Sequence, residues 1–112
     1  MASMVNEFHW RGDKYRAQLE KKHYVKAYLA DNGISAKLKG YNALLFVILY
    51  AAEHPQASCQ ELFEAYSETE GAFTNDYRMA YKTSTYAIKK VTNLKNITTF
   101  QFIKDCSVAL EA

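Results

Sequence analysis

Hydrophobic residues recur at spacings of three and four along most of the chain, which is the periodicity of amphipathic α-helices. One proline and four glycines interrupt this pattern, and no alternating segments flank the short turn that marks a β-hairpin. The pattern predicts an all-α fold, a compact bundle of about five to six helices. The predicted helices span residues 14–30, 40–53, 59–67, 75–91 and 99–110.

The first predicted helix begins after Asp13, a good N-cap residue, and ends at Asp31-Asn32-Gly33. Gly33 suits the left-handed backbone conformation of a helix C-cap. Residues 1–12 precede this helix as an N-terminal extension, and residues 13–112 are expected to form a single helical domain. The side of the helix that is expected to face the core consists of Tyr15, Leu19, Val25, Tyr28 and Leu29.

The second predicted helix, Gly40–Glu53, is apolar on every side from Ala43 to Ala52. A helix of this kind belongs at the centre of a small domain. The apolar run is only about half as long as the roughly 20 residues of a membrane span, so we expect no membrane insertion. His54-Pro55 is expected to end the helix.

Capping boxes mark the starts of two further helices. Ser58 with Glu61 has this pattern at the start of the third helix, and Thr98 with Gln101 repeats it before the last one. Between these helices Thr74 is the expected N-cap of the fourth. The expected core side of the last helix consists of Phe100, Ile103, Ser107 and Leu110.

The fourth predicted helix has two contrasting faces. A stripe of cations and one hydroxyl falls at positions i, i+4, i+7 and i+11 and is called the basic stripe below: Arg78, Lys82, Thr85 and Lys89. Five basic residues and no acid lie between Arg78 and Lys95. The opposite face, which suits packing, consists of Ala80, Ser84, Ala87, Ile88 and Val91.

A short helix, a turn containing Gly71 and a longer basic helix follow one another in the order expected of a helix-turn-helix. In such motifs the second helix lies in the major groove of DNA and presents cations to the bases and phosphates. The turn is longer here than the usual three or four residues. The alternative interpretation of the basic stripe is the solvated face of an amphipathic helix.

Charge is unevenly distributed, although the formal net charge is only +2. Glu53–Asp76 carries six acids and no Lys or Arg, whereas basic residues are concentrated before and after it. Any electrostatic footprint for nucleic acid must therefore be local, with a basic face and an acidic flank.

The basic N-terminal segment has two open interpretations. It is either an arm that contacts phosphates beside the DNA-reading helix or the solvated face of the first helix. Phe8 and Trp10, which precede it, are candidates for contact with a partner or a second copy. The basic residues of this segment are Arg11, Lys14, Arg16, Lys21, Lys22 and Lys26.

The sequence offers no catalytic or metal-binding pattern. His54 and Cys59 are close in sequence, but the paired Cys or His spacing of a structural zinc site is missing. A glycine-rich phosphate loop and a nucleophile with an orienting carboxylate are also missing. We therefore expect no enzymatic activity, no metal, no cofactor and no small-molecule substrate.

Cys59 and Cys106 are the only cysteines, and the N-terminus lacks the apolar region of a signal peptide. These features are typical of reduced thiols in a cytoplasmic protein. Cys106 is expected to pack in the last helix as a small hydrophobic residue.

Several stretches from Gly33 onward match one family. Gly33–Tyr41, GISAKLKGY, is close to the signature G-[IV]-P-A-H-[IL]-K-G-Y, and Tyr66 and Phe73 keep that family's spacing of seven. On these residues the chain resembles the C-terminal DNA-binding effector domains of the sporulation-initiation response regulators, the stage-zero sporulation protein A family. Further matches are Tyr86-Ala87-Ile88, like its H-A-I, and Thr99–Ile103, like its closing [NT]-x-x-F-I.

The resemblance implies a helix-turn-helix that inserts the helix at about 75–91 into the DNA major groove. We therefore predict a DNA-binding transcriptional regulator module of the sporulation-regulator type, with double-stranded DNA as its partner. Arg78, Lys82 and Thr85 are expected to face bases. The full set of expected DNA-binding residues is Asn75, Arg78, Lys82, Thr85, Lys89, Lys90 and Lys95.

An alternative function is a protein–protein interaction module on the same fold that has lost sequence-specific DNA readout. Lys82 keeps a cation at a family arginine position, whereas Met79 and Thr85 stand where the family has arginines. Such a module would use its tyrosine-rich surface and acidic flank. The family's effector domain also follows a receiver domain, for which 112 residues leave no room, so we expect a stand-alone module or part of a longer chain. The tyrosines concerned are Tyr77, Tyr81 and Tyr86.

Overall fold

The computed structural model describes the backbone of residues 2–111 and the side chains of residues 16–110. Over this part of the chain the structure consists of five α-helices and one short 3₁₀-helix, with no β-strand, so the predicted all-α fold is confirmed. The α-helices are α1 (Ala2–Asp31), α2 (Gly40–Glu53), α3 (Cys59–Ser67), α4 (Tyr77–Lys89) and α5 (Thr99–Glu111).

Helix α2 forms the centre of the bundle and packs against α1, α3, α4 and α5. Its bounds are those predicted from the sequence. Ala43, Leu44, Val47 and Ile48 are fully buried, because burial of apolar surface is favourable. One side of the helix is less covered, since Phe46, Leu49, Tyr50 and Ala52 are half-buried. The central position predicted for this helix is therefore confirmed.

Helix α1 begins at Ala2, so the prediction of a start after Asp13 is wrong. No proline interrupts residues 2–13, and a single glycine costs a helix only about 1 kcal/mol. The prediction that Leu19 faces the core is also wrong, because 37% of its surface is exposed. Burial along the described part of α1 starts at Val25 and continues at Leu29, where the helix packs on the bundle, and Tyr15 lies outside the described side chains.

Local geometry confirms the predicted C-terminal end of α1 and the predicted start of α3. Gly33 has φ +83°, the left-handed conformation that a C-cap requires. Ser58 Oγ accepts a hydrogen bond from Glu61 N at 3.2 Å, and Glu61 Oε1 accepts one from Ser58 N at 3.0 Å. The capping box at the start of α3 is therefore complete.

Helix α4 begins one residue after Asp76, so the prediction of Thr74 as its N-cap is wrong. Asp76 Oδ1 accepts a hydrogen bond from Arg78 N at 3.0 Å, which is the capping contact. Thr74 Oγ1 instead accepts from Asp76 N at 3.1 Å and shapes the turn before the helix. The helix ends at Lys89 rather than Val91, and the segment predicted as a loop contains a 3₁₀-helix, Thr92–Leu94.

Helix α5 buries a wider face than the sequence predicts. The capping box predicted for Thr98 and Gln101 is only half formed. Thr98 Oγ1 accepts from Gln101 N at 3.1 Å, but the Gln101 side-chain amide donates to Asp105 instead of completing the box. Ile103 and Ser107 are buried as predicted, and Phe100 and Leu110 are half-buried. Because α5 packs against α1, α2 and α4, its buried residues also include Phe102 and Cys106.

Candidate nucleic-acid interface

Helices α3 and α4 pack against one another and are joined by residues 68–76, so the predicted order of short helix, turn and longer helix is observed. The ring of Phe63 on α3 meets the ring of Tyr81 on α4 edge to face, with centroids 5.5 Å apart. The connection is tied back to α3, because Phe73 N donates to the Tyr66 hydroxyl at 3.0 Å. These contacts hold the N-terminal half of α4 beside α3.

The packing face predicted for α4 is confirmed. Ala80, Ser84, Ala87 and Ile88 are buried, and Val91 just beyond the helix is half-buried. The backbone of α4 lies directly on the start of α2, because a Cβ at Gly40 would come within 2.5 Å of the Thr83 carbonyl oxygen. Burial of this face directs the other side of the helix to solvent.

The N-terminal half of the basic stripe is exposed. Arg78 and Lys82 lie one helical turn apart, and Asn75 is exposed just before the helix. The Arg78 guanidinium lies 5.6 Å from the centroid of the Tyr77 ring, and its Nε donates to the Tyr77 hydroxyl at 3.4 Å. This hydrogen bond raises the pKa of Arg78, so the guanidinium stays charged.

The C-terminal half of the basic stripe is engaged within the protein. Thr85 and Thr99 share a hydrogen bond with their Oγ1 atoms 2.6 Å apart. Lys89 Nζ donates to the backbone carbonyls of Lys95 at 2.6 Å and Ile97 at 2.7 Å. These two side chains therefore hold the connection between α4 and α5, and the structure does not bring all four stripe residues together on one free surface.

Lys90 and Lys95 are exposed beyond the basic stripe. Lys90 Nζ lies 5.4 Å from the centroid of the Tyr86 ring, a cation–π geometry that keeps the ammonium near the surface of α4. The Lys95 carbonyl oxygen accepts a hydrogen bond from Lys89 Nζ, and Lys95 itself is exposed. The positively charged side chains exposed around α4, called the exposed cations below, are Arg78, Lys82, Lys90 and Lys95.

A cleft of about 460 Å³ lies between α3 and α4 and is called the α3–α4 cleft below. Aromatic rings form its floor and two exposed cations stand at its rim. The i, i+4 spacing of Tyr77 and Tyr81 is visible in the sequence, but their approach to Phe63 is not, because it depends on how the two helices pack. The lining residues are Cys59, Gln60, Phe63, Tyr77, Arg78, Tyr81 and Lys82.

The two cysteines have different environments. Cys59 is half-buried at the α3–α4 cleft, and this burial raises the pKa of its thiol. Cys106 is fully buried in α5, where burial raises its thiol pKa to about 12. The prediction that Cys106 packs as a small hydrophobic residue is confirmed.

The basic N-terminal segment is only partly described. Arg16, Lys21, Lys22 and Lys26 are exposed on α1, so this part agrees with both interpretations of the segment. The contacts predicted for the remaining residues stay predictions, because their side chains are not among those described. Outside the described side chains lie Phe8, Trp10, Arg11 and Lys14.

Two other features are absent from the described residues. No helix among them combines the length and apolarity needed to cross a membrane. No group of three or more His, Cys, Asp or Glu side chains in this part of the chain is placed to hold a metal ion.

The chain was compared with protein-family models, with curated proteins and with solved structures, and no match was found in any of the three. The resemblance to the sporulation effector domains therefore rests on the sequence matches described above and stays a prediction.

Proposed function

We propose that this protein binds double-stranded DNA as a transcriptional regulator module and places the N-terminal half of α4 in the major groove. One observation supports this most directly. Arg78 and Lys82 are exposed one turn apart on α4, while the opposite face of the helix is buried in the bundle. A rigidly backed helix that presents cations is what readout in the major groove requires.

The exposed side chains divide between two roles in this proposal. Asn75, Arg78 and Lys82 face the base edges, because they are exposed around the N-terminal half of α4. Lys90 and Lys95 lie further along and contact phosphates. Thr85 and Lys89 stabilise the interface from within, since their polar atoms are bound to Thr99 and to backbone carbonyls.

The charge distribution supports the same face. No Asp or Glu occurs between Tyr77 and Lys104, so α4 and the following connection are free of negative charge. On α3, Glu61 is occupied by the capping box and lies beside His54 and Pro55, outside the α3–α4 cleft. Asp76 caps α4 and Glu64 accepts from Gln60, so the acid-free surface begins at Tyr77 and runs along α4 and the connection after it.

The test is a selection from random DNA duplexes, followed by fluorescence anisotropy on the enriched site at several salt concentrations. We expect binding that weakens steeply with salt, because phosphate neutralisation releases counterions. Arg78→Ala or Lys82→Ala should cost about 1–3 kcal/mol on that site and reduce discrimination between sites. Lys90→Ala or Lys95→Ala should weaken binding to all sequences and lower the salt slope by about one.

Lys37→Ala is the matched control, because Lys37 is an exposed lysine that is not among the exposed cations around α4. Its affinity and salt slope should equal those of the wild type. If Lys82→Ala behaves like Lys95→Ala, α4 contacts only the DNA backbone. If no duplex binds even at low salt, the proposal is wrong and a protein-interaction module on the same fold takes its place.

A further inference from the structure

The α3–α4 cleft combines an aromatic floor, a cationic rim and a volume of about 460 Å³, which lies within the range of small-molecule sites. We propose that this cleft binds a small planar aromatic carboxylate and that this ligand competes with DNA for Arg78 and Lys82. The competition rests on the function proposed above, whereas binding of the carboxylate does not.

The floor of the cleft is preformed by packing. Phe63 is only 1% exposed and belongs to the core, and Tyr81 stands edge to face against it while 40% of its own surface is exposed. Tyr77 completes the floor one turn before Tyr81. An aromatic ligand gains both burial and ring contacts on such a surface without a rearrangement of the protein.

The Arg78 guanidinium is suited to a carboxylate. It lies over the Tyr77 ring, and its Nε is occupied by the Tyr77 hydroxyl at 3.4 Å. The two terminal nitrogens remain, and their parallel N–H groups match the two oxygens of a planar carboxylate. A flat ligand on the aromatic floor can therefore direct its carboxylate to this end of the guanidinium.

The rim favours a negative ligand. Lys82 adds a second positive charge one turn from Arg78, and both residues are exposed. Asp76 raises the pKa of Arg78, and its Oδ1 also accepts the Arg78 backbone N–H, so this carboxylate partly offsets the positive charge of the rim. Gln60, which lines the cleft, donates from its side-chain amide to Glu64 Oε1 at 2.8 Å.

The probes are naphthoate, its neutral isostere naphthalenemethanol, and acetate, each titrated against the whole protein by calorimetry. We expect naphthoate to bind about tenfold or more tightly than the alcohol, because the charge-assisted hydrogen bonds are lost in the isostere. Acetate should bind more weakly still, because it has no ring. Naphthoate and alcohol of equal affinity, or no binding of naphthoate at millimolar concentration, would overturn the proposal.

Paired variants locate the site. Lys82→Met and Tyr81→Leu should weaken naphthoate binding about tenfold. Lys37→Met and Tyr86→Leu are matched controls, because both residues are exposed and neither lines the cleft. Since Tyr81 contacts the core, Lys82→Met keeps the test valid if Tyr81→Leu does not fold. Unchanged affinity in Lys82→Met, or equal losses in the controls, would place the ligand elsewhere.

Competition is measured separately on labelled duplex DNA. With naphthoate at about ten times its dissociation constant, the apparent dissociation constant of the duplex should rise about tenfold. Naphthoate that binds without changing duplex affinity would overturn the competition. If duplex DNA does not bind at all, the proposed function fails while the calorimetric result stands by itself.

A last probe is a short peptide with a tyrosine next to a glutamate. If this peptide binds and naphthoate does not, the cleft is a peptide groove and the small-molecule proposal is wrong.

Discussion

At the scale of single residues, Gly40 lies where the start of α2 packs directly on the backbone of α4. A Cβ at this position would lie 2.5 Å from the Thr83 carbonyl oxygen and 2.9 Å from the Ser84 Cα, and backbone atoms cannot move aside cheaply. Gly40→Ala should therefore lower the free energy of unfolding by about 1–3 kcal/mol, although alanine is the better helix former. Denaturant unfolding measures this change.

Gly71→Ala is the control for this prediction, because a Cβ there meets nothing within 4 Å. Its free energy of unfolding should stay within about 0.5 kcal/mol of the wild type or rise slightly. A Gly40→Ala variant as stable as Gly71→Ala would mean that α2 and α4 are further apart than described here.

Lys89 is positively charged, but we expect its charge to stabilise the fold and not to contact DNA. Its ammonium is bound to the carbonyls of Lys95 and Ile97, so Lys89→Met should lower the free energy of unfolding by about 1–3 kcal/mol. At the same time the salt slope of DNA binding should stay unchanged, unlike that of Lys90→Met. Thermal denaturation and anisotropy on the same two variants check this. If Lys89→Met has normal stability but a reduced salt slope of DNA binding, Lys89 contacts DNA instead.

At the scale of elements, the start of α3 depends on a charged cap. The hydrogen bonds from the Ser58 backbone and hydroxyl hold the pKa of Glu61 below its ordinary value of 4.5. The stabilisation by the charged carboxylate is therefore complete above that value and is lost as the pH falls through the lowered pKa of the folded state.

Glu61→Gln tests the contribution of this charge, because glutamine keeps the hydrogen-bond acceptor but not the charge. The wild type should be more stable than the variant at neutral pH, and the two unfolding curves should converge in acid. Urea unfolding at a series of pH values measures the difference. A difference that does not change between neutral and acid pH would show that the Glu61 charge does not stabilise the cap.

At the scale of the whole molecule, stability depends on the central helix α2. Ile48 is fully buried on it, so Ile48→Ala should cost about 2–5 kcal/mol of unfolding free energy. Leu19→Ala, an equally apolar change on exposed α1, should cost no more than about 0.5 kcal/mol. Calorimetry on both variants checks this. Equal losses at the two positions would mean that the core extends along α1.

Local sequence patterns suffice to predict the helices and several of their ends. Gly33, the Ser58–Glu61 capping box and the bounds of α2 were all correctly predicted. These features depend on residues at most about four positions apart or on periodicity within one segment, which a sequence contains directly. The resemblance and the DNA-reading role were also read from the sequence, and both stay predictions.

The division of the basic stripe and the position of the cleft follow from packing between helices and are not predictable from local sequence. Thr85 shares a hydrogen bond with Thr99, 14 positions away, and Lys89 donates to the Ile97 carbonyl, 8 positions away. The helical spacing of the stripe alone therefore predicts both side chains to be exposed. Likewise, the α3–α4 cleft requires Phe63 beside Tyr81, and the exposure of Leu19 depends on the path of α1 relative to α2. Each of these features depends on contacts between separate elements, and these form when the apolar faces of the helices close around α2.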